Sequence, residues 1–160
     1  MVAFRLQMYV PDEMLTELGR TIAWYNTLEV VVDALITMLM PYNDITIMRA
    51  VLSRTSRKNE ILPEFGDRAN LKILTPAKVK EFAVRFNRCF EIRNGYAHAI
   101  WGSPPEDGSE PFRRLKHRGM LIPVQNTPTI EELRKASQDM QTLAQEILDT
   151  IDEFLKTADA

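Results

Sequence analysis

An arginine, an asparagine and a histidine that lie close together in the sequence are the best candidates for chemistry in this chain. They are Arg93, Asn94 and His98, at the end of the third predicted helix. A neutral imidazole can take a proton from a hydroxyl near neutral pH, and an imidazolium can give one to a leaving oxygen. A guanidinium stabilises negative charge on a phosphoryl group through two parallel N–H donors. Asn94 can hold substrate or orient the imidazole, so the set suits proton transfer around a phosphate.

RNA is a substrate that such a set can cleave without a metal ion. Its 2′-hydroxyl is an internal nucleophile, so proton transfer and charge stabilisation are sufficient for the reaction. The chain has two histidines and one cysteine, which excludes a multi-histidine centre and a cysteine-based metal site. We therefore predict neither a metal nor a cofactor.

The position of Arg93 on its helix is unusual, because it continues a line of apolar residues. That line consists of Val79, Phe82, Ala83, Phe86, Cys89 and Phe90. An unpaired buried charge costs several kcal/mol, so we expect an anionic or carboxylate-like group, or a wet cleft, to face the guanidinium. Arg93 and His98 lie about 140° apart around a helix and share a face only loosely. Either the long arginine side chain spans this gap, or both residues meet their counterparts across a symmetric dimer interface.

Structural roles compete with catalysis for the same residues. An arginine near a helix end often pairs with a carboxylate or caps carbonyl groups, and a single histidine often belongs to a core or an interface. Tyr96 and Trp101 fit packing better than base stacking. Cys89, on the apolar line, fits the role of a small hydrophobic residue.

The spacing of apolar residues predicts an all-α fold, a helical bundle of three long helices and one short one, in a single domain spanning residues 1–160. The helices are expected at roughly 12–40, 44–56, 76–100 and 129–156. Residues 57–74 are expected to form a connector, because Pro63 and Gly66 interrupt the helical pattern.

The 103–128 connector carries a basic run within a predicted small β-hairpin. The run consists of Arg113, Arg114, Lys116, His117 and Arg118. These residues either form a solvated hairpin tip or guide RNA through phosphate contacts, which carry little sequence preference and weaken with salt.

The charge distribution also favours an anionic partner. The whole chain has a net charge of −2, which argues against a general nucleic-acid binder, but residues 68–118 carry 11 basic and 5 acidic side chains. The start of the chain has no apolar segment typical of a secretion signal, so we predict a cytoplasmic protein. The apolar run at 30–40 contains Asp33 and is shorter than the roughly 20 residues of a membrane span, so we predict no membrane association.

The residues 93–98, Arg-Asn-Gly-Tyr-Ala-His, resemble the Rx4-6H motif of the HEPN (higher eukaryotes and prokaryotes nucleotide-binding) superfamily. Four residues separate the arginine from the histidine, and a polar residue follows the arginine. Ala99 stands where many relatives have glycine. Further similarity to small bacterial HEPN-like proteins comes from Trp24, Leu28, Glu29 and Leu35 in the first helix and from Trp101 after the motif.

This resemblance implies an all-helical homodimer whose two motifs line a shared cleft, and in many members a metal-independent endoribonuclease. Arg93 would then stabilise the transition state, His98 would transfer protons, and Asn94 would support substrate or His98. Because members often act as toxins or in phage defence, the partners it implies are RNA or a nucleotide and a cognate antitoxin. The alternative is a non-catalytic HEPN-like module that binds a nucleotide or a partner protein. A third possibility is a purely structural helical dimer in which Arg93 is ion-paired.

Overall fold

The computed structural model describes most of the chain as helices joined to a small sheet. The described residues are 10–39, 58–66, 74–97, 99–101, 114–117, 121–124 and 128–158. The helices are α1 (Asp12–Leu39), α2 (Lys58–Gly66), α3 (Pro76–Ala97) and α4 (Ile130–Ala158). The strands are β1 (Ala99–Trp101), β2 (Arg114–His117) and β3 (Leu121–Val124). Helices hold most of the described residues, which confirms the predicted predominance of α-structure.

The starts of α3 and α4 are fixed by capping hydrogen bonds with the threonine that directly precedes each helix. The backbone N–H of Glu132 donates to Thr129 Oγ1 at 3.1 Å, and the N–H of Thr129 donates to Glu132 Oε2 at 2.8 Å. The N–H of Lys78 donates to Thr75 Oγ1 at 3.3 Å. These bonds satisfy backbone N–H groups that have no partner within the first turn of a helix, so each helix begins directly after its capping threonine.

Two predicted boundaries were wrong. The connector predicted at 57–74 contains helix α2, in which Leu62 is fully buried in the core and Lys58 is held by acidic side chains of α1. These long-range contacts outweigh the penalty of Pro63. The predicted helix 76–100 ends at Ala97, because Gly95 weakens its last turn and Ile100-Trp101 favour a strand.

Two other predicted segments fall largely or wholly outside the described residues. The helix predicted at 44–56 lies entirely outside them. Of the 103–128 connector, the described parts are β2, β3 and residue 128.

The main core forms where α1, α3 and α4 meet, with α2 packed against α3 and α1. Its largest fully buried side chains include Leu28, Leu35, Phe82, Phe86 and Ile147. The most extensive contact is between α1 and α4. This contact also contains a buried hydrogen bond of 2.9 Å between the hydroxyls of Thr21 and Ser137. The core therefore fixes α3 against α1, the arrangement on which the position of Arg93 depends.

The sheet is antiparallel with the strand order β1-β2-β3. Ala99 of β1 is paired with Lys116 of β2, and Leu115 of β2 is paired with Pro123 of β3. Pro123 thus lies on an edge strand, where a missing N–H is tolerated. The basic strand β2 lies beside the strand that follows α3.

Helix α1 is long and apolar enough to cross a membrane by length and composition. Its most apolar 18-residue window has a mean hydropathy of 1.4, and 33% of that window is buried inside the protein. The core helix of a soluble protein meets the same criterion. The absence of membrane association and the cytoplasmic location therefore stay predictions.

An ion pair between α3 and α4 makes a pH-dependent contribution to stability. Arg85 Nη2 donates to Glu146 Oε1 at 3.1 Å, and Nη1 donates to the second carboxylate oxygen. These hydrogen bonds from Arg85 hold the pKa of Glu146 below its usual value, although burial opposes them. The unfolded chain therefore binds the proton more tightly than the folded chain. The pair stabilises the fold above the ordinary carboxylate pKa, and this contribution is lost as the pH falls through the folded pKa.

We predict that Glu146→Gln lowers the Tm at neutral pH and that the difference from the unmodified protein disappears below the folded pKa of Glu146. Thermal unfolding followed by circular dichroism through the acid range measures this difference. Glu153→Gln, an exposed change on the same helix, serves as the control. A Tm difference that is the same at every pH would show that the charge of Glu146 is not the cause.

Candidate active site around Arg93

Arg93 lies one turn before the end of α3 and is half-buried against α1. Its guanidinium carbon is 5.5 Å from the centroid of the Tyr25 ring. A cation within about 6 Å of an aromatic face is attracted by the ring's electron density. The aromatic face of Tyr25 therefore provides one of the contacts that hold Arg93.

The hydrogen bonds of Arg93 differ from those expected from the sequence. Its Nη1 donates to Asn94 Oδ1 at 2.9 Å, while its Nε is buried and has no hydrogen-bond partner. Among the described residues, Arg93 forms no ion pair with a carboxylate. The sequence predicts an anionic or carboxylate-like group, or a wet cleft, beside Arg93. Within the described part of the chain, no carboxylate is paired with it, and an aromatic ring and a neutral amide contact it instead. Neither contact neutralises the positive charge.

Tyr25 is itself held firmly in the core. It is 3% exposed, and its ring lies nearly parallel to that of Phe86, with the centroids 5.9 Å apart and an interplanar angle of 13°. Phe90 contacts the same ring at a centroid distance of 6.5 Å. Burial, reinforced by the nearby charge of Glu29, raises the pKa of the Tyr25 phenol, so the ring stays uncharged at neutral pH.

A row of polar side chains on α1 extends from Tyr25 through Glu29 to Asp33, and each member of the row is four positions after the one before it. Lys58 of α2 is buried at the Asp33 end, where its Nζ lies 2.7 Å from Asp33 Oδ2 and 3.6 Å from Glu29 Oε1. Burial raises the pKa of Asp33, although Lys58 opposes the shift. The two carboxylates of this row are therefore engaged by Lys58, while Arg93 contacts the tyrosine.

Sequence reasoning missed this row, although a signal was present. Asp33 stands inside an otherwise apolar run, and Tyr25, Glu29 and Asp33 recur at the spacing of one helix face. The partner Lys58 is 25 residues from Asp33, so its role depends on the tertiary structure.

The structure places Arg93 and Asn94 in direct contact on α3. His98 lies outside the described residues, between the end of α3 at Ala97 and the start of β1 at Ala99. The role of Asn94 as a support for substrate or for His98 stays a prediction. Its observed hydrogen bond is to the guanidinium, which it helps to orient.

The predicted RNA-binding run is divided between described and undescribed residues. Arg114, Lys116 and His117 belong to β2, whereas Arg113 and Arg118 lie outside the described residues. The pairing of Ala99 with Lys116 places the backbone of β2 next to the residue that follows His98 in the sequence. The topology thus places the basic strand beside β1, which begins one residue after the motif in the sequence.

A groove of about 300 Å³ lies between α3 and α4. Its lining includes Arg85, Arg88, Lys135 and Asp139, with Cys89 at the apolar side. Arg85 is paired with Glu146, and Lys135 Nζ lies 3.0 Å from Asp139 Oδ2, so most of the basic groups are already neutralised.

Cys89 and the acidic side chains offer little for nucleophilic or metal chemistry in the described part of the chain. Burial raises the pKa of the Cys89 thiol to about 11, so it stays protonated at neutral pH. Its burial is consistent with the predicted role as a small hydrophobic residue. No group of three His, Cys, Asp or Glu side chains within the described ranges could hold a metal ion.

Comparison with known proteins adds no relative. No family model, no curated protein and no solved structure matches this chain. The similarity to the HEPN superfamily therefore depends on the sequence pattern alone.

Proposed function

We propose that this protein is a HEPN-like, metal-independent endoribonuclease that acts as a homodimer. One observation supports this function above the others: Arg93 is half-buried and charged, and no carboxylate of the described residues is paired with it. An arginine with a purely structural role would be expected to have such a partner. An unneutralised guanidinium beside a polar amide is suited to a phosphoryl group.

In the proposed reaction, the 2′-hydroxyl of one nucleotide attacks the adjacent phosphorus. His98 takes the hydroxyl proton as the bond between O2′ and phosphorus forms. The bond between phosphorus and O5′ then breaks, and O5′ receives a proton from an imidazolium or from water. The products are a 2′,3′-cyclic phosphate and a free 5′-hydroxyl. Arg93 stabilises the negative charge that grows on the non-bridging oxygens.

In the proposed enzyme, the helices form a bundle and the 103–128 connector contains a β-hairpin. Strand β2 would carry the basic run past the motif, so that Arg114, Lys116 and His117 contact the RNA backbone on either side of the cleaved link. Such contacts add affinity with little sequence preference. We propose that the protein uses this activity in the cytoplasm, as a toxin or in phage defence, and that a cognate antitoxin controls it.

Cleavage of single-stranded RNA in the presence of a chelator tests the function. We predict that the purified protein yields fragments and that His98→Ala lowers kcat by about 10²- to 10⁴-fold, the usual contribution of a proton-transfer group. His117→Ala is the matched histidine control and should mainly raise KM. The difference in KM from the unmodified protein should shrink as salt is added, because salt weakens phosphate contacts.

Other outcomes would lead to different conclusions. Equal cleavage by the unmodified protein and His98→Ala would indicate a contaminating nuclease. Intact RNA, together with a Tm that rises when a nucleotide is added, would favour the non-catalytic binding module.

A further inference from the structure

We propose that Tyr25 is a positioning residue for Arg93. Its buried ring supports the guanidinium through an aromatic face, which fixes the group without neutralising it. This inference rests on the proposed function, because it assigns Tyr25 a role in presenting Arg93 to the RNA phosphate.

The Tyr25 ring is a rigid support for the guanidinium. The Tyr25 ring is 3% exposed, stacked on Phe86 and flanked by Phe90. A buried ring packed on two sides occupies one orientation, since protein interiors are close-packed. The core therefore holds a group that contacts this ring in a defined position.

The contacts of Arg93 differ from those that a carboxylate would make. A guanidinium has five N–H donors, and within the described residues Arg93 uses one of them, in the hydrogen bond from Nη1 to Asn94. A carboxylate in the place of the ring would use two donors and cancel the charge. The tyrosine face attracts the cation without using two of its N–H donors and without cancelling its charge, so Arg93 can still bind a phosphate.

The carboxylates near Tyr25 are paired with a different cation. Glu29 and Asp33 lie on the same row of α1 as Tyr25, and buried Lys58 lies close to both. Lys58 thus provides the acidic side chains with a cation other than Arg93. Within the described residues, Arg93 contacts the aromatic face of Tyr25 and not these carboxylates.

Steady-state RNA cleavage by two variants at Tyr25 tests the proposal. Tyr25→Phe keeps the aromatic face and should retain kcat within about twofold, because cation–π attraction does not need the hydroxyl. Tyr25→Leu removes the face and should lower kcat by about 10²-fold with little change in KM, the effect of a misplacement of about 1 Å. Phe82→Leu, a comparable change in the same core, controls for loss of packing and should leave kcat unchanged.

The result that would overturn the proposal is a Tyr25→Leu variant that is folded at the assay temperature and cleaves RNA as fast as the unmodified protein. An equal fall in kcat for Tyr25→Phe and Tyr25→Leu would also overturn it, since the aromatic face would then not be the relevant feature.

A second measurement separates this proposal from the proposed function. Urea unfolding of Tyr25→Leu, Arg93→Leu and the double variant gives the coupling between the two side chains without any RNA. We expect a coupling of about 2- to 5-fold in the unfolding equilibrium constant. If the unmodified protein leaves RNA intact, the nuclease fails whatever the coupling. Additive effects of the two substitutions would contradict the contact itself, whether or not RNA is cleaved.

Discussion

Arg93→Ala should lower RNA cleavage in chelator by about 10³-fold, the largest loss of activity that we expect from a substitution in the described helices. Removal of one preorganised donor to a developing negative charge typically costs 10²- to 10³-fold in rate. Arg93 would supply both a donor and a full charge, since no carboxylate of the described residues neutralises it. The loss should appear in kcat, because the charge on the phosphoryl oxygens grows towards the transition state.

Two further variants make this result specific. Arg93→Lys keeps the charge but not the planar pair of donors, so its kcat should lie between those of Arg93→Ala and the unmodified protein. Arg20→Ala is the matched control: Arg20 is exposed on α1 and lies 2.8 Å from Glu17 Oε2, and Glu17 keeps a second partner in Arg134. A loss of activity in Arg20→Ala as large as that in Arg93→Ala would contradict a special role for Arg93.

Phe86→Ala should reduce the free energy of unfolding by about 3–5 kcal/mol, the usual cost of truncating a buried phenylalanine. Phe86 is fully buried, and it stacks on Tyr25 across the contact between α1 and α3. Its removal leaves a cavity beneath the ring that supports Arg93. Denaturant unfolding monitored by circular dichroism measures the change.

Val84→Ala, on the same helix, provides the contrast. Val84 is 71% exposed, so its truncation removes little buried surface and should change the free energy of unfolding by less than about 0.5 kcal/mol. If the two variants had similar stabilities, the described packing of α3 against α1 would be wrong.

The helices that the sequence predicts best are those with strong local signals. α4 combines a regular apolar stripe with a capping box, and α1 follows directly after Pro11. Helix α2 was missed because its stability comes from distant partners, namely the core around Leu62 and the carboxylates near Lys58. Pro63 has a low helix propensity, but the tertiary contacts stabilise the helix despite it.

The candidate site was predictable in part. The position of Arg93 in an apolar line correctly indicated a half-buried charge that needs a particular environment. Of the predicted alternatives, an anionic or carboxylate-like partner or a wet cleft, a carboxylate is absent from its contacts within the described residues. There, Lys58 engages Glu29 and Asp33, and Tyr25 contacts Arg93. Which cation pairs with which carboxylate depends on how α1, α2 and α3 cross, and spacing within one helix does not determine this.

The measurement that tests the central claim most directly is mass spectrometry of the RNA ends produced in chelator by the unmodified protein and by Arg93→Ala. We predict 2′,3′-cyclic phosphate ends from the unmodified protein, none above background from the variant, and no cleavage at a link whose attacking nucleotide is 2′-deoxy. Intact RNA, equal amounts of product from both proteins, or continued cleavage at the 2′-deoxy link would contradict a metal-independent transesterification that depends on Arg93.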